Sequence, residues 1–229
     1  MKPIRRALAL TAATAMAALI TLAVRACGGT TTATSTPTNG LESKSPADVL
    51  QNAAAALAGA RSVHVVGTGP SGQVDVRIQG GSATGTGMLA GAPVKITVIG
   101  SDVYINTGQA GLKAVGAPPS VQRYDAGRWL KVPVSDLTGF TLADLASQLT
   151  AYRTPLAPKV RQATLNSRKV VVVSWQDGGK LYVANTGPAY PLRAELKKGS
   201  NAGVLNFTEY GTPLHITAPS NALDLANAG

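Results

Sequence analysis

The sequence predicts an α+β protein in which a curved antiparallel sheet of about ten strands forms a half-barrel that is closed by two short helices. Two observations lead to this prediction. Two segments repeat apolar residues with the period of a helix, and the rest of the chain from residue 62 onward holds short β-type runs between Gly, Ser and Pro turns. A sheet of that size must curl, so the two amphipathic helices can bury their apolar faces only inside the curl.

Residues 1–26 have the pattern of a signal peptide. Basic residues open the chain, and an apolar stretch, residues 7–24, leads to Cys27, the only cysteine. The pattern resembles a bacterial lipoprotein signal, although Arg25 stands where that motif has a small residue. The resemblance implies that Cys27 is acylated and anchors the protein on the outer face of the cytoplasmic membrane. The alternatives are a plain signal peptide, which leaves the protein secreted or periplasmic, and an uncleaved anchor.

The rest of the chain divides by composition into three parts. Residues 27–44 are rich in Thr, Ser, Gly and Pro and have almost nothing apolar to bury, so they are predicted to form a disordered tether. The folded domain is predicted over residues 45–220. A polar tail, residues 221–229, follows it.

The domain is predicted to begin with a helix and a meander. Ser45 is a good N-cap, Pro46 is favoured at the first helical position, and apolar residues follow at helical spacing, which predicts a helix over Ser45–Gly59. In the runs that follow, apolar side chains alternate with polar ones between turn residues, which indicates antiparallel strands. The predicted strands are Ser62–Thr68, Gln73–Gln79, Ala83–Ala90, Val94–Ile99 and Asp102–Asn106.

The middle of the domain is predicted to hold a loop, a strand and the second helix. Gly and Pro residues through Thr107–Gln122 predict a long loop, and Arg128–Val132 reads as a strand. Thr141 and Asp144 have the spacing of a capping box before an apolar face, which predicts a helix over Thr141–Tyr152.

The C-terminal third returns to β-type runs separated by turns such as Asn166-Ser167. A last short run, Leu214–Ile216, leads into the tail. The predicted strands are Val160–Leu165, Lys169–Trp175, Lys180–Asn185, Leu192–Lys197 and Val204–Tyr210.

Charge and motifs exclude several functions. Four of the 21 Lys and Arg precede Cys27, so the chain after it carries 17 basic and 11 acidic residues, a net charge of +6. These charges are spread out, with no basic block between aromatics, which argues against nucleic-acid binding. No nucleophile elbow, zinc-protease motif, P-loop or dinucleotide fingerprint is present. His64 and His215 lack a neighbouring ligand cluster in the sequence, so we expect no metal, no cofactor and no enzymatic activity.

The order of elements after such a signal resembles the LolA-like fold, and in particular the mycobacterial carrier lipoproteins of the LppX/LprG type. The resemblance covers about residues 45–220 and is carried by five segments: Ala60–His64, Asp102–Ile105, Gly127–Val132, Phe207–Gly211 and His215–Pro219. It implies a half-barrel whose apolar cavity binds acyl chains of a lipid, a glycolipid or a lipidated partner. The protein is expected to act as a monomer.

The alternating apolar residues of the strands and of the second helix are the candidates for lining such a cavity. The same pattern also fits a filled core, which would make the protein a structural or partner-binding envelope lipoprotein without a ligand. An envelope hydrolase is a further alternative, which requires a histidine close to a serine and a carboxylate. The candidate cavity residues are Val63, Val65, Val74, Val76, Ile78, Val94, Ile96, Val98, Leu142, Leu145 and Leu149.

Overall fold

The computed structural model describes residues 36–69, 72–89, 91–114, 116–124, 127–132, 141–197 and 202–224. These residues form one turn of 3-10 helix, four α-helices and twelve strands. The helices are the 3-10 turn Leu41–Ser43, α1 (Pro46–Ala58), α2 (Gln109–Ala114), α3 (Pro119–Tyr124) and α4 (Leu142–Ala151). The strands are β1 (Ser62–Gly69), β2 (Gly72–Gln79), β3 (Ser82–Leu89), β4 (Ala92–Ile99), β5 (Asp102–Thr107), β6 (Trp129–Val132), β7 (Arg161–Leu165), β8 (Arg168–Ser174), β9 (Lys180–Ala184), β10 (Pro191–Leu196), β11 (Gly203–Thr208) and β12 (Leu223–Asp224).

The strands form one open sheet in the order β12-β6-β5-β4-β3-β2-β1-β11-β10-β9-β8-β7. Every neighbouring pair is antiparallel except β12 and β6, which are parallel. The sheet does not close into a barrel, because β7 and β12 lie at its two edges. The predicted fold class is confirmed, with twelve strands instead of about ten and four helices instead of two.

Short hairpins build each half of the sheet, and one long-range pairing joins the halves. At the turn between β7 and β8, Asn166 and Ser167 both have positive φ angles, 47° and 63°, as a two-residue hairpin requires. The halves meet where β1 pairs with β11, with Val65 opposite Phe207. The meander of β1 to β5 is therefore continuous with the C-terminal strands.

Both predicted helices begin where their capping residues indicated. At α1, the backbone N–H of Asp48 donates to the Ser45 hydroxyl at 3.2 Å. At α4, the Asp144 N–H donates to the Thr141 hydroxyl at 3.0 Å, and the Thr141 N–H donates to the Asp144 carboxylate at 3.3 Å, which completes a capping box. The two helices pack against each other, and α1 also contacts β8 and β10.

The predicted long loop Thr107–Gln122 is wrong. The structure forms α2 and α3 there, and α2 packs against β4 and β5. Leu112 and Val121, one on each helix, are buried in the main core. Burial of these two side chains outweighs the weak helical propensity that the Gly and Pro residues confer.

Both predicted limits of the folded domain also need correction. Leu41 is buried in the core although it falls within the predicted tether, and Asn39 donates from its side chain to the carbonyls of Ala184 and Gly187 at 2.9 and 3.0 Å. Within the predicted polar tail, β12 pairs with β6. The short run at 214–216 forms no strand.

Several expectations concern residues outside this description. They are the signal peptide and its alternatives, Cys27, most of the tether and residues 225–229. No helix among the described residues is both long enough and apolar enough to cross a membrane.

The attachment of the 3-10 turn gives a first testable prediction. Replacing Leu41 by alanine is expected to lower the free energy of unfolding by about 2 kcal/mol, because it removes a buried leucine side chain. Urea unfolding measures the change. Ser43→Ala, at an exposed position of the same turn, is the matched control and is expected to change stability by less than about 0.5 kcal/mol. An unchanged midpoint for Leu41→Ala would show that this turn does not stabilise the domain.

Candidate functional site

The face of the sheet that carries the helices is apolar across most of its width, and we call it the covered face. Strand register aligns its residues in rows, one of which runs through Leu130, Ile105, Ile96, Gly85 and Val76. The row continues through β1 into β11. Side chains of all four helices join these strands in one hydrophobic cluster. This face is the candidate functional site.

The structure brings together all of the residues that the sequence proposed for a cavity. Three of them, Val74, Leu145 and Leu149, are partly buried and pack against the cluster. The other eight are buried within it: Val63, Val65, Val76, Ile78, Val94, Ile96, Val98 and Leu142. Their assignment to a ligand cavity stays a prediction, because a packed core would bury the same side chains.

Much of the covered face lies on strands from which no candidate was chosen. These strands are β3, β5, β6 and β8 to β11, and the helices α1, α2 and α3 add further side chains. The signal in β8 was a run of four valines, and a continuous apolar run indicates a strand buried on both faces. Apolar side chains of these elements in the cluster include Val103, Ile105, Leu112, Val121, Leu130, Val171, Val173, Trp175, Leu181, Val183 and Phe207.

One end of the covered face is less completely buried than the rest, and we call it the rim. It lies where the hairpins β1–β2 and β3–β4 and the connection β10–β11 reverse direction. Four apolar residues on the strands mark it, Val74, Leu89, Leu196 and Leu205, and each is partly exposed while packing against the main cluster. Apolar side chains at the rim thus connect the interior with the surface.

Trp175, Tyr152 and Asp177 form a polar group at the β8–β9 end of the rim. Trp175 is 3% exposed, and the Tyr152 ring meets it edge to face with centroids 4.9 Å apart. The Tyr152 hydroxyl donates to Asp177 Oδ2 at 2.5 Å, and this bond raises the pKa of the tyrosine. Asp177 also accepts from the Thr154 hydroxyl and, at Oδ1, from the Gly179 N–H. Tyr152 therefore remains a protonated donor at neutral pH.

Charged residues gather on the opposite face, around His64. Its Nε2 lies 2.7 Å from Asp75 Oδ1, and its Nδ1 lies 3.3 Å from Glu209 Oε1 and 3.4 Å from the Thr208 hydroxyl. Arg77 Nε donates to Glu209 Oε2 at 3.2 Å. His64 is thus not the isolated strand histidine that the sequence suggested.

These contacts do not complete the site of a hydrolase. The partners of His64 are carboxylates and a threonine, and none of them is a serine. His215 is exposed and makes no hydrogen bond or ion pair with any described residue. No group of three or more His, Cys, Asp and Glu with the arrangement of a metal site occurs in the described ranges.

The cluster around His64 predicts an acid-dependent loss of stability. Arg77 lowers the pKa of Glu209, first through its hydrogen bond and then through its charge. The unfolded chain, in which this pKa returns to about 4.3, binds more protons, so the stabilisation is present above that pH and is lost as the pH falls through the lower folded value. Urea unfolding between pH 3 and 6 should show that the free energy of unfolding of Glu209→Gln falls less steeply with decreasing pH than that of the wild type. Arg77→Gln should reduce this pH dependence to a smaller extent, because His64 also lowers the pKa of Glu209. A pH dependence as steep as that of the wild type in both variants would contradict the prediction.

The face opposite the covered face, which we call the outer face, carries a shallow hollow at the rim end of β3 to β5. It has a volume of about 420 Å³ and lies over β2 to β5, with Lys95, Thr86 and Asn106 on its polar side and Met88 and Pro93 on its apolar side. Strand register aligns Thr86, Lys95 and Asn106 in one row on this face. The lining also includes Val94, one of the predicted cavity residues, so the hollow reaches the edge of the covered face.

The fold defined above is that of mycobacterial lipoproteins. The chain is similar to LprF from Mycobacterium bovis, with a TM-score of 0.53 and 16% identity over 76% of this chain and 96% of that one. It is also similar to the lipoprotein LppX from Mycobacterium tuberculosis, with a TM-score of 0.50 and 13% identity over 75% of this chain and 98% of that one. No family model and no curated protein matches the chain. The resemblance that the sequence suggested is confirmed at the level of the fold.

Proposed function

We propose that this protein is a lipid-anchored lipoprotein outside the cytoplasm that holds an acyl chain of a lipid, a glycolipid or a lipidated partner between the covered face and its helices. The observation that carries the proposal is the apolar covered face, which reaches the surface through partly exposed side chains at the rim. The fold shared with LprF and the lipoprotein LppX supports it.

Burial of the hydrocarbon chain can supply the free energy of binding, so the site needs no polar catalytic group. Each methylene that leaves water contributes about 0.8 kcal/mol, so a chain of about 16 carbons would gain on the order of 10 kcal/mol before entropic costs. The sheet is open at both edges, so a chain could reach the covered face without passing through a closed barrel. The rim, where Leu196 and Leu205 are partly exposed, is the proposed path for the chain.

The proposed anchor is an acylated Cys27. Two or more acyl chains would hold the protein stably on the outer face of the cytoplasmic membrane, where it would act as a monomer. The described chain starts at Thr36, and Asn39 attaches it beside β9 through two carbonyl oxygens. Without acylation the same domain would act as a secreted or periplasmic protein.

Native mass spectrometry tests the binding proposal directly. The protein is produced in a bacterial host, exported to its envelope and extracted in mild detergent. Its mass is measured before and after denaturation, and any bound molecule is extracted into organic solvent. A stoichiometric lipid adduct that disappears on denaturation is expected. A bare mass, also after incubation with phospholipid vesicles, would contradict the proposal.

A second candidate function is a structural or partner-binding lipoprotein without a ligand. The observation that favours it is burial, because eight of the eleven predicted cavity residues are already buried within one cluster. It predicts a bare mass in the experiment above. It also predicts capture of a protein partner that does not depend on added lipid.

A further inference from the structure

The indole N–H of Trp175 is a buried donor without an acceptor in the described part of the chain. The side chain is 3% exposed and belongs to the main hydrophobic cluster, yet Nε1 has no hydrogen-bond partner among the residues that the structure describes. Indole N–H groups of buried tryptophans normally find an acceptor, and leaving one unpaired costs free energy. The polar groups next to it, in contrast, bond to one another through Asp177.

The position of Trp175 places this donor at the rim. Trp175 lies two residues beyond Val173, so it continues the covered face of β8, and Val173 pairs with Leu181. The backbone N–H of Trp175 donates to the carbonyl oxygen of Gly179, which precedes Lys180 at the start of β9. Leu196, one of the rim residues, ends β10 at the same side of the sheet, because Glu195 pairs with Lys180.

An ordered water is a poor partner for this donor. A buried water needs two to four polar partners. Around the indole the main cluster supplies apolar groups. A ligand that brings one acceptor oxygen attached to a hydrocarbon chain fits this surrounding better.

We propose that the Trp175 N–H binds the carbonyl oxygen of an acyl ester whose hydrocarbon chain lies on the covered face. The inference rests on the proposed function and adds the chemical class and the orientation of the ligand, with its ester at the rim and its chain inside. A neutral carbonyl suits the site better than a free carboxylate, because a second negative charge would be repelled by Asp177. Asp177 accepts a hydrogen bond from the hydroxyl of Tyr152, whose ring contacts Trp175.

Nuclear magnetic resonance of the indole groups tests the proposal. The chain is labelled with nitrogen-15 at its two tryptophans and titrated with methyl palmitate or hexadecane delivered from cyclodextrin. The Trp175 indole proton is expected to shift downfield with the ester and to remain within its ligand-free range with the alkane. Trp129, which aligns with Asn106 on the outer face, is the internal reference and is expected not to move with either. Equal shifts of Trp175 with both ligands would overturn the proposal.

A substitution gives an independent readout. Trp175→Phe keeps an aromatic ring and removes the donor, so the affinity for methyl palmitate is expected to fall about tenfold while that for hexadecane changes much less. Trp129→Phe is the matched control and should leave both affinities unchanged. Binding of both ligands without any loss of ester preference in Trp175→Phe would overturn this inference alone. Binding of neither ligand to the wild type would overturn the proposed function and this inference together.

Discussion

Replacing Gly85 by alanine is expected to lower the free energy of unfolding by about 3 kcal/mol, which corresponds to a fall in melting temperature of roughly 6–12 °C. Gly85 lies in the middle of β3 between Val76 and Ile96. A β-carbon built there would stand 2.1 Å from the carbonyl oxygen of Asp75 and 2.7 Å from the α-carbon of Val76. Both obstacles are backbone atoms, so the neighbouring strand itself would have to move.

A second glycine supplies the control for this experiment. Gly81 lies in the turn between β2 and β3, and a β-carbon there would meet nothing within 4 Å. Gly81→Ala is therefore expected to leave stability unchanged or to raise it slightly. Thermal unfolding followed by circular dichroism compares the two variants. If Gly85→Ala has the same melting temperature as Gly81→Ala, the close approach of β2 and β3 does not limit stability.

Replacing Leu205 by aspartate is expected to lower lipid binding about 100-fold, because a carboxylate would enter an apolar surrounding without a partner. Leu205 is a rim residue on the covered face, opposite Gly67 and Ala194. The amount of bound acyl lipid per protein, measured by native mass spectrometry, reports the effect. Leu205→Asn, which adds no charge, is expected to lose less, about tenfold.

The neighbouring residue provides a matched control. Val204 is also partly buried, but strand alternation places it on the outer face, where it pairs with Thr68 and Glu195. Val204→Asp is expected to keep its lipid. Circular dichroism confirms that each variant has folded. Lipid occupancy that stays at the wild-type level in a folded Leu205→Asp would show that the chain does not pass along this part of the rim.

The elements that the sequence predicted well are those whose signals are local. Alternation of apolar and polar residues located the strands from β1 to β5 to within a few residues. The capping residues Ser45 and Thr141 located the starts of α1 and α4, because a cap bonds to a backbone N–H only three residues away. The candidate residues on β1, β2 and β4 reach one cluster for the same reason: period-two alternation places them on one face.

The elements that the sequence missed depend on partners far along the chain. Leu41 is buried in the core, and the Asn39 side chain bonds to residues about 145 positions away. Local composition contains no sign of either contact and therefore indicated a tether. The helices α2 and α3 contain glycine and proline, and burial of Leu112 against the sheet outweighs that weak propensity.

The sequence also did not predict the two polar groups, one around His64 and one formed by Tyr152 and Asp177. His64 meets Glu209 only because β1 pairs with β11, and Tyr152 meets Asp177 across the segment that links α4 to the β8–β9 turn. The sequence by itself determined the α+β class, the capped helices and the apolar face of most strands, since these follow from interactions within a few residues. Only the tertiary structure decided the twelve-strand order, the rim and the burial of the Trp175 indole N–H away from any acceptor in the described ranges, because each arises from contacts that chain folding alone brings together.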